Sequence, residues 1–408
     1  MTGSELRPTE LEAVRSLCEQ TLKANWLEGA RAGDRTPFAY TRPSPRHYPW
    51  QWYWDSGFAA IVWRRFDPQR SERELRTLLA AQAPDGFIGH TIFWSGPPRD
   101  LRRFTYNVLS RSATTTASIQ PPLLAWAWRT SVGDPAAEPG IAAEHRWLAE
   151  HRDLDGDGLI WIVQPDESGL DASPQFDPIW GRRRHSRPGF LGLVRRNRHL
   201  RYDLRQIHAA GGPVCCEVMT NVLYGLSRLA LGESSLTPLI VERMYDERSG
   251  LFWPLAHPAP GRPVPLTWAA ISPLALPDLP EEIGRRLVEE HLLNPAEFWL
   301  PVPIPSVSVG DPTFSRRDTV LPGLRRYWRG PSWINSAWMV WLGLIRLGYE
   351  KPAEELAQRV TSAVVATGLH EYYDPYDGRG MGAPSFAWSA LALELADPDP
   401  AAARSYLT

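Results

Sequence analysis

The stretch TELEAVRSLCEQTL, residues 9–22, sets the fold class: Thr9 and Glu12 form a T-x-x-E capping box, and Leu11, Val14, Leu17, Cys18 and Leu22 recur at three- and four-residue spacing. That pattern predicts an amphipathic helix to about Trp26. Working outward, Ser71 with Glu74 repeats the box before Leu75, Leu78 and Leu79, and Pro121 can open a helix carrying Leu123, Leu124, Trp126 and Ala127. Further helices are expected at 55–66, 140–151, 213–231, 280–293, 332–347, 352–368 and 384–396, about ten to twelve in all. No sustained apolar-polar alternation bounded by hairpin turns appears, and no G-x-G-x-x-G or P-loop supports a nucleotide-binding sheet. The chain is therefore expected to be all-α. Four long connections, 38–54, 86–112, 153–212 and 295–331, are rich in Trp, Tyr, Pro, Gly and Arg. Helices interleaved with long loops fit a closed ring of helical hairpins with a pocket at one rim, since loops on a rigid scaffold are where binding groups gather. A multidomain solenoid is the plainer alternative, but no repeat consensus supports it.

Among 408 residues, 44 basic and 46 acidic side chains leave a net charge of −2, so no global field would draw the protein to nucleic acid or to a membrane. No run of 18 apolar residues occurs, and the first residues lack the parts of a signal peptide, so a cytoplasmic protein is expected. Cys18, Cys215 and Cys216 are expected as reduced, buried thiols, because an adjacent pair is poorly placed for an ordinary disulfide. The 19 tryptophans are more telling. Many stand beside polar residues in loops (PWQWYWD, IFWSG, DPIWG, YWRGPSW, FAWS), where core packing alone would not ask for an indole. Flat apolar faces with one polar edge suit sugar rings.

Nucleophilic-serine and metal chemistry find little support, since neither G-x-S-x-G nor H-E-x-x-H occurs. DLDGDGLIW resembles the first half of an EF-hand loop, yet Gln164 stands where a bidentate Glu is needed; a tight Asp/Gly turn is the better reading. No metal or cofactor is expected. Carboxylates in aromatic, Gly-rich loops are the stronger signal: Glu167 and Asp171 in ESGLDASPQFDPIW, and Glu371 in HEYYDPYDGRGMGAPSFAWS. A helix cap with a surface acid, and a structural ion pair, are the plain readings of each. Together they fit glycoside hydrolysis, which needs one carboxylic acid to protonate the leaving oxygen and a carboxylate across the sugar.

WQWYWDSGFAA (50–60), SIQPP (118–122), ESGLDASPQFD (167–177), YWRGPSWINSAWMVW (327–341) and HEYYDPYDG (370–378) resemble glycoside hydrolase family 63, and are similar to the related trehalase family. The resemblance runs in order from about residue 45 to 390. It implies an (α/α)6 barrel and an inverting mechanism, with Asp171 as general acid and Glu371 as general base. It implies that Asp55 with Trp52 and Trp54, Gln120, and Trp328 with Arg329 line the sugar subsite. The aromatic residues Trp50, Trp333, Tyr372 and Trp388 of the same loops complete the expected substrate-binding set. Members that process N-glycans are much longer, so the compact chain looks most like the bacterial hydrolases of α-mannosylglycerate or α-glucosylglycerate.

Residues 182–205 carry arginines at 182, 183, 184, 187, 195, 196, 198, 201 and 205 against one acid, Asp203. An arginine fork can bind a carboxylate bidentately. Tyr202 and Arg205 are the expected glycerate contacts, with Arg201 as substitute; a solvated basic loop is the alternative. One catalytic domain over 1–408 is expected, with insertions at 86–112 and 178–212 as lids and a homo-oligomer left open. YWRGPxW is often followed in the family by Pro-Asn, whereas Ile334-Asn335 stands here, and mannose is not distinguished from glucose. Burial and the charge of Glu371 are expected to keep Asp171 protonated, with roughly 6.5–9.5 Å between the two carboxyl groups. Rival readings are another family 63 α-glucosidase or trehalase-like activity, a non-catalytic carbohydrate binder, and a sugar epimerase using His90, His185, His208 or His370.

Overall fold

A helix that is apolar all round must be buried all round, and the chain contains several. Every residue of Tyr53–Trp63 and of the 3-10 segment Trp268–Ala275 is buried, as are the first eleven residues of Ile334–Arg346. The computed structural model, which describes residues 8–94, 114–321, 324–325 and 327–398, places these elements in an inner ring. Tyr53–Trp63 packs on Leu124–Ser131, and that helix on Val218–Ala230. The contacts continue through Trp268–Ala275 and Ile334–Arg346 to Ala387–Leu391, which returns to Tyr53–Trp63. The ring closes.

Helices with a single apolar stripe lie outside it. Pro68–Ala80 packs on Tyr53–Trp63, Thr237–Met244 on Val218–Ala230, Glu350–Thr367 on Ile334–Arg346, and Pro8–Asn25 on Ala387–Leu391. Glu281–Arg286, continued by the π-helical Leu287–Leu292, backs Trp268–Ala275, and Pro139–Arg152 follows Leu124–Ser131 in the chain. Strands among the described residues form only two-stranded antiparallel pairs in the connections.

Several local expectations are corrected. Ser71 and Glu74 do not cap a helix: Asp67 does, accepting from the amides of Gln69 and Arg70, each at 3.1 Å. The Ser71 hydroxyl instead donates to the Ala60 carbonyl at 2.7 Å, and the buried Glu74 carboxylate accepts from Thr41 and Ser56. Pro121 opens no helix, because a following Pro122 disfavours helical backbone at residue 121; the helix starts at Leu124. Residues 214–216 form a strand paired with Leu255–His257, and the helix expected from 213 begins at Val218, capped by Glu217 on the Thr220 amide at 2.6 Å. Residues 380–384 are likewise a strand, with the inner-ring segment starting at Ala387.

The expected loop 153–212 contains the helix Arg187–His199, which Ser186 caps on the Gly189 amide, and a second helix, Leu204–Ala209. In DLDGDG, the Asp153 carboxylate accepts from the amides of residues 156, 157 and 158, while Asp155 and Asp157 pair with Arg243. This is the turn expected from sequence. The 86–112 insertion falls largely outside the described residues. All three cysteines are free and buried. No described helix is long and apolar enough to cross a membrane.

Candidate active site

The first amides of an α-helix have no partner within it. In Tyr53–Trp63 the Trp54 amide is met by the Gln120 side-chain oxygen at 3.0 Å, which joins WQWYWD to SIQPP. Trp52 lies just before this helix, in a short strand paired with Thr91–Ile92, and its ring meets His90 edge-on at 5.0 Å. Trp54 meets Trp388 edge-on at 5.0 Å, and Trp328 stacks flat on Trp333 at 3.6 Å.

The loop carrying Asp171 is held from beneath by Glu167, which is not a surface acid. It is fully buried, takes a two-pronged ion pair from Arg152 at 2.6 and 2.8 Å, and accepts from the amides of Ile119 and Val163. Gly169 has φ +72°, and a Cβ there would lie 2.6 Å from the Trp54 ring, so the turn can approach that indole only as glycine. The Tyr327 hydroxyl donates to Asp171 Oδ2, and Arg184 donates to the carbonyls of Asp171 and Ser173. Burial pushes the Asp171 carboxyl above the ordinary range, the Tyr327 hydrogen bond and Arg184 oppose this, and the charge of Glu371 adds to the rise. Asp166, half-buried five residues earlier, is also raised, by burial and then by the charge of Asp171.

Glu371 sits in the strand His370–Tyr373, paired with Gly380–Pro384. It is 3% exposed; Oε1 accepts from the Tyr48 hydroxyl and Oε2 from the Ala383 amide, each at 2.9 Å. Asp55, in the first turn of Tyr53–Trp63, is pushed well up by burial and then by the negative charge of Glu371, with smaller contributions from Glu74 and Asp171. Asp55, Asp171 and Glu371 all open onto one cavity of about 150 Å³. That is small beside the roughly 300–1,000 Å³ of drug-sized sites and suits a single ring.

Of the residues expected from sequence, Trp52, Trp54, Gln120, Trp328, Trp333 and Trp388 line this cavity with the three acids. Five others are placed elsewhere. Trp50 packs edge-on against Phe93 at 5.0 Å. Tyr372 lies against Trp333 and donates to Asp318 at 2.8 Å. Arg329 is turned onto Asp177 at 2.7 and 2.8 Å, tying the YWRG loop to the acid loop. Tyr202, with φ +56°, is buried near Glu167 and Asp166, and Arg205 spends its guanidinium on the carbonyls of Asp153 and Leu154. The two expected glycerate contacts are thus not brought to the cavity: Tyr202 is buried beside Glu167 and Asp166, and Arg205, on the helix 204–209, is held by the two carbonyls.

Tyr48, His90, Tyr327 and Phe386 line the cavity and were missed as candidate sugar contacts. Only their neighbourhood hinted at them: Tyr327 opens the YWRGPSW stretch, and Phe386 sits in FAWS. Of the histidines weighed for epimerisation, His90 reaches the cavity. His208 packs on His257, His370 bonds the Thr367 carbonyl, and the His185 side chain lies outside what is described.

Residues 48–389 match the family model described as the mannosylglycerate hydrolase MGH1-like glycoside hydrolase domain. The chain belongs to this family. It is 32% identical to a mannosylglycerate hydrolase of Thermus thermophilus over 87% of this chain and 96% of that protein. It is 26% identical to a glucosylglycerate hydrolase of Mycolicibacterium hassiacum, over 86% and 93%. The crystal structure of a glycoside hydrolase family 63 mannosylglycerate hydrolase from Thermus thermophilus, in complex with Tris and D-glycerate, superposes with a TM-score of 0.77 at 27% identity. That match covers 94% of this chain and 99% of the other. The protein is accordingly a glycoside hydrolase, and its closed ring of helices is the (α/α)6 barrel of that family.

In this hydrolase Gly382 limits the room behind Glu371. Its φ is +70°, and a Cβ would stand 2.6 Å from Glu371 Oε2. Gly382→Ala is expected to displace the Glu371 carboxylate and to lower kcat by about 10²-fold, the scale of an ångström-sized misplacement in a substrate cavity. Gly348→Ala, at φ +75° with open space around it, carries the same backbone cost and should leave kcat unchanged. Equal kcat in the two variants would show that crowding of Glu371 is not what Gly382 prevents.

Proposed function

We propose that this hydrolase cleaves the α-glycosidic bond of a small anionic glycoside, α-mannosylglycerate or its glucosyl counterpart, to free sugar and glycerate with inversion at the anomeric carbon. The observation that carries the reading is that two buried acids from distant loops, Asp171 and Glu371, open onto one aromatic cavity sized for a single ring. The relatives named for mannosylglycerate and glucosylglycerate hydrolysis support this choice of aglycone.

Asp171, raised by burial, gives its proton to the glycosidic oxygen as that bond breaks. Glu371, held as an acceptor by Tyr48 and the Ala383 amide, takes a proton from the water that attacks the anomeric carbon from the opposite face. Each carboxyl ends in the other's starting charge state, and solvent exchange resets the pair. Flat indoles exclude water from the sugar faces, while Asp55 and the Gln120 amide offer hydrogen bonds at its edge. Three free, buried thiols support a reducing, cytoplasmic setting. The test is incubation with mannosylglycerate, glucosylglycerate and trehalose while the first anomer released is followed by NMR. Glyceric acid with initial β-sugar is expected. Initial α-sugar overturns inversion, and turnover of trehalose alone overturns the aglycone.

A further inference from the structure

A single guanidinium holds the turn that carries Asp171. The Ser173 amide donates to the Leu170 carbonyl at 2.8 Å, closing a turn with Asp171 at its first corner. Arg184 donates one terminal nitrogen to the Asp171 carbonyl and the other to the Ser173 carbonyl, and it lies over the Phe176 ring at 5.7 Å. Asp177 holds this second nitrogen in turn, at 3.3 Å, and both Asp177 oxygens accept from Arg329. Arg329 stands two residues after Tyr327, whose hydroxyl donates to the Asp171 carboxyl. The circuit closes: it runs from the main chain of Asp171 through Arg184, Asp177, Arg329 and Tyr327 back to the Asp171 side chain. None of Arg184, Asp177 and Arg329 is among the described residues that line the cavity, so contact with a substrate does not explain them.

All three residues are buried, so water screens their charges poorly. Two guanidinium groups share one carboxylate, which leaves one positive charge in surplus beside the acid loop; Arg182, at 3.4 Å from Asp177, is exposed and adds little. Burial holds Arg184 down to about 10, still a cation at neutral pH. We propose that Arg184 is a positioning residue for the acid: it fixes the turn and keeps a buried positive charge ready for the carboxylate that Asp171 becomes when its proton passes to the glycosidic oxygen and the glycosidic bond breaks. The other groups around that carboxyl do not supply this charge. Tyr327 and Tyr48 are neutral hydroxyls, Glu371 and Asp55 are acids on the same cavity, and His90 there is held neutral by burial. Asp166, on the same loop, is an acid that burial favours neutral, and Arg152 is matched one to one by Glu167. The inference rests on the reading of Asp171 as proton donor.

The test separates charge from shape. Arg184→Gln removes the charge and leaves Asp177 paired with Arg329, so no ion is stranded, whereas Arg184→Lys keeps the charge but cannot span two carbonyls. The Asp171 carboxyl is titrated by carbon NMR, its signal assigned by its loss in Asp171→Asn. In parallel, kcat is measured on mannosylglycerate and on α-mannosyl fluoride at a pH below the alkaline limb. Arg184→Gln should raise the pH at which Asp171 ionises, because a neighbouring cation favours the carboxylate, and Arg184→Lys should leave it near the wild-type pH. Arg184→Gln should lower kcat on mannosylglycerate by about 10- to 100-fold, the scale of one buried charge-assisted hydrogen bond, and stay within about threefold on the fluoride, which needs no acid. Arg184→Lys should lose less than Arg184→Gln. An Asp171 midpoint that does not move in Arg184→Gln, the same shift in both variants, or equal losses on the two substrates overturns the proposal and leaves Arg184 a structural brace. The expected midpoint shifts beside a wild type that does not hydrolyse mannosylglycerate would leave the hold of Arg184 on Asp171 standing and overturn the proposed reaction instead.

Discussion

Asp171→Asn is expected to lower kcat on mannosylglycerate by about 10²- to 10⁴-fold, the contribution of a positioned general acid, while leaving the fold intact. The amide is isosteric and can keep a hydrogen bond to the Tyr327 hydroxyl, so on the proposed mechanism what is lost is the proton for the glycosidic oxygen. Glycerate is a poor leaving group and needs that proton, whereas fluoride does not. On α-mannosyl fluoride the variant should therefore stay within about tenfold of wild type. Loss on both substrates to the same degree would mean that Asp171 does something other than protonate the leaving group. The pH profile carries the same assignment. As the proposed acid, Asp171 works only while protonated, so activity should fall on the alkaline side as it ionises, and burial places that limb above the ordinary carboxylate range. The Tyr327 hydrogen bond favours the ionised form, so Tyr327→Phe should move the alkaline limb to higher pH. Because Asp166 titrates in the field of Asp171, the measured limb belongs to the interacting groups together.

The parts of this site that sequence made legible are those whose chemistry is written into a short stretch. Asp171 and Glu371 stood out because acids embedded in aromatic, Gly-rich loops are expensive to bury without a use. The all-α class followed from apolar spacing, although inner-ring helices such as Tyr53–Trp63 are buried on every side and betray no single face. What sequence hid depends on partners far away along the chain. Tyr327 reaches Asp171 across 156 positions and Tyr48 reaches Glu371 across 323, and no local pattern encodes either meeting. Arginines misled for the same reason. A guanidinium near a sugar motif fits a substrate carboxylate as well as it fits Asp177 or a pair of carbonyls, and for Arg329 and Arg205 the protein supplies the partner itself. Glu74 shows the converse: it has the right spacing for a capping box, but Asp67 and Pro68 start the helix earlier and its carboxylate is taken by Thr41 and Ser56.

Glu371→Gln should be the more general lesion. Glu371 accepts at both oxygens, from Tyr48 at one and from the Ala383 amide at the other. A glutamine has one acceptor to offer; its oxygen can keep the fixed Ala383 amide, while its NH2 can donate to the Tyr48 hydroxyl oxygen. The variant should thus hold the geometry and lose only the base. Activation of water is required whatever leaves, so kcat should fall by about 10²- to 10⁴-fold on mannosylglycerate and on α-mannosyl fluoride alike. Asp171→Asn spares the fluoride and Glu371→Gln does not, and that difference separates donor from base without relying on either loss alone. Fluoride hydrolysis by Glu371→Gln within about tenfold of wild type would take the base away from Glu371. It would direct attention to Asp55, the third acid on the same cavity, which burial and the charge of Glu371 now push towards its neutral form and which would become easier to ionise once that charge is gone.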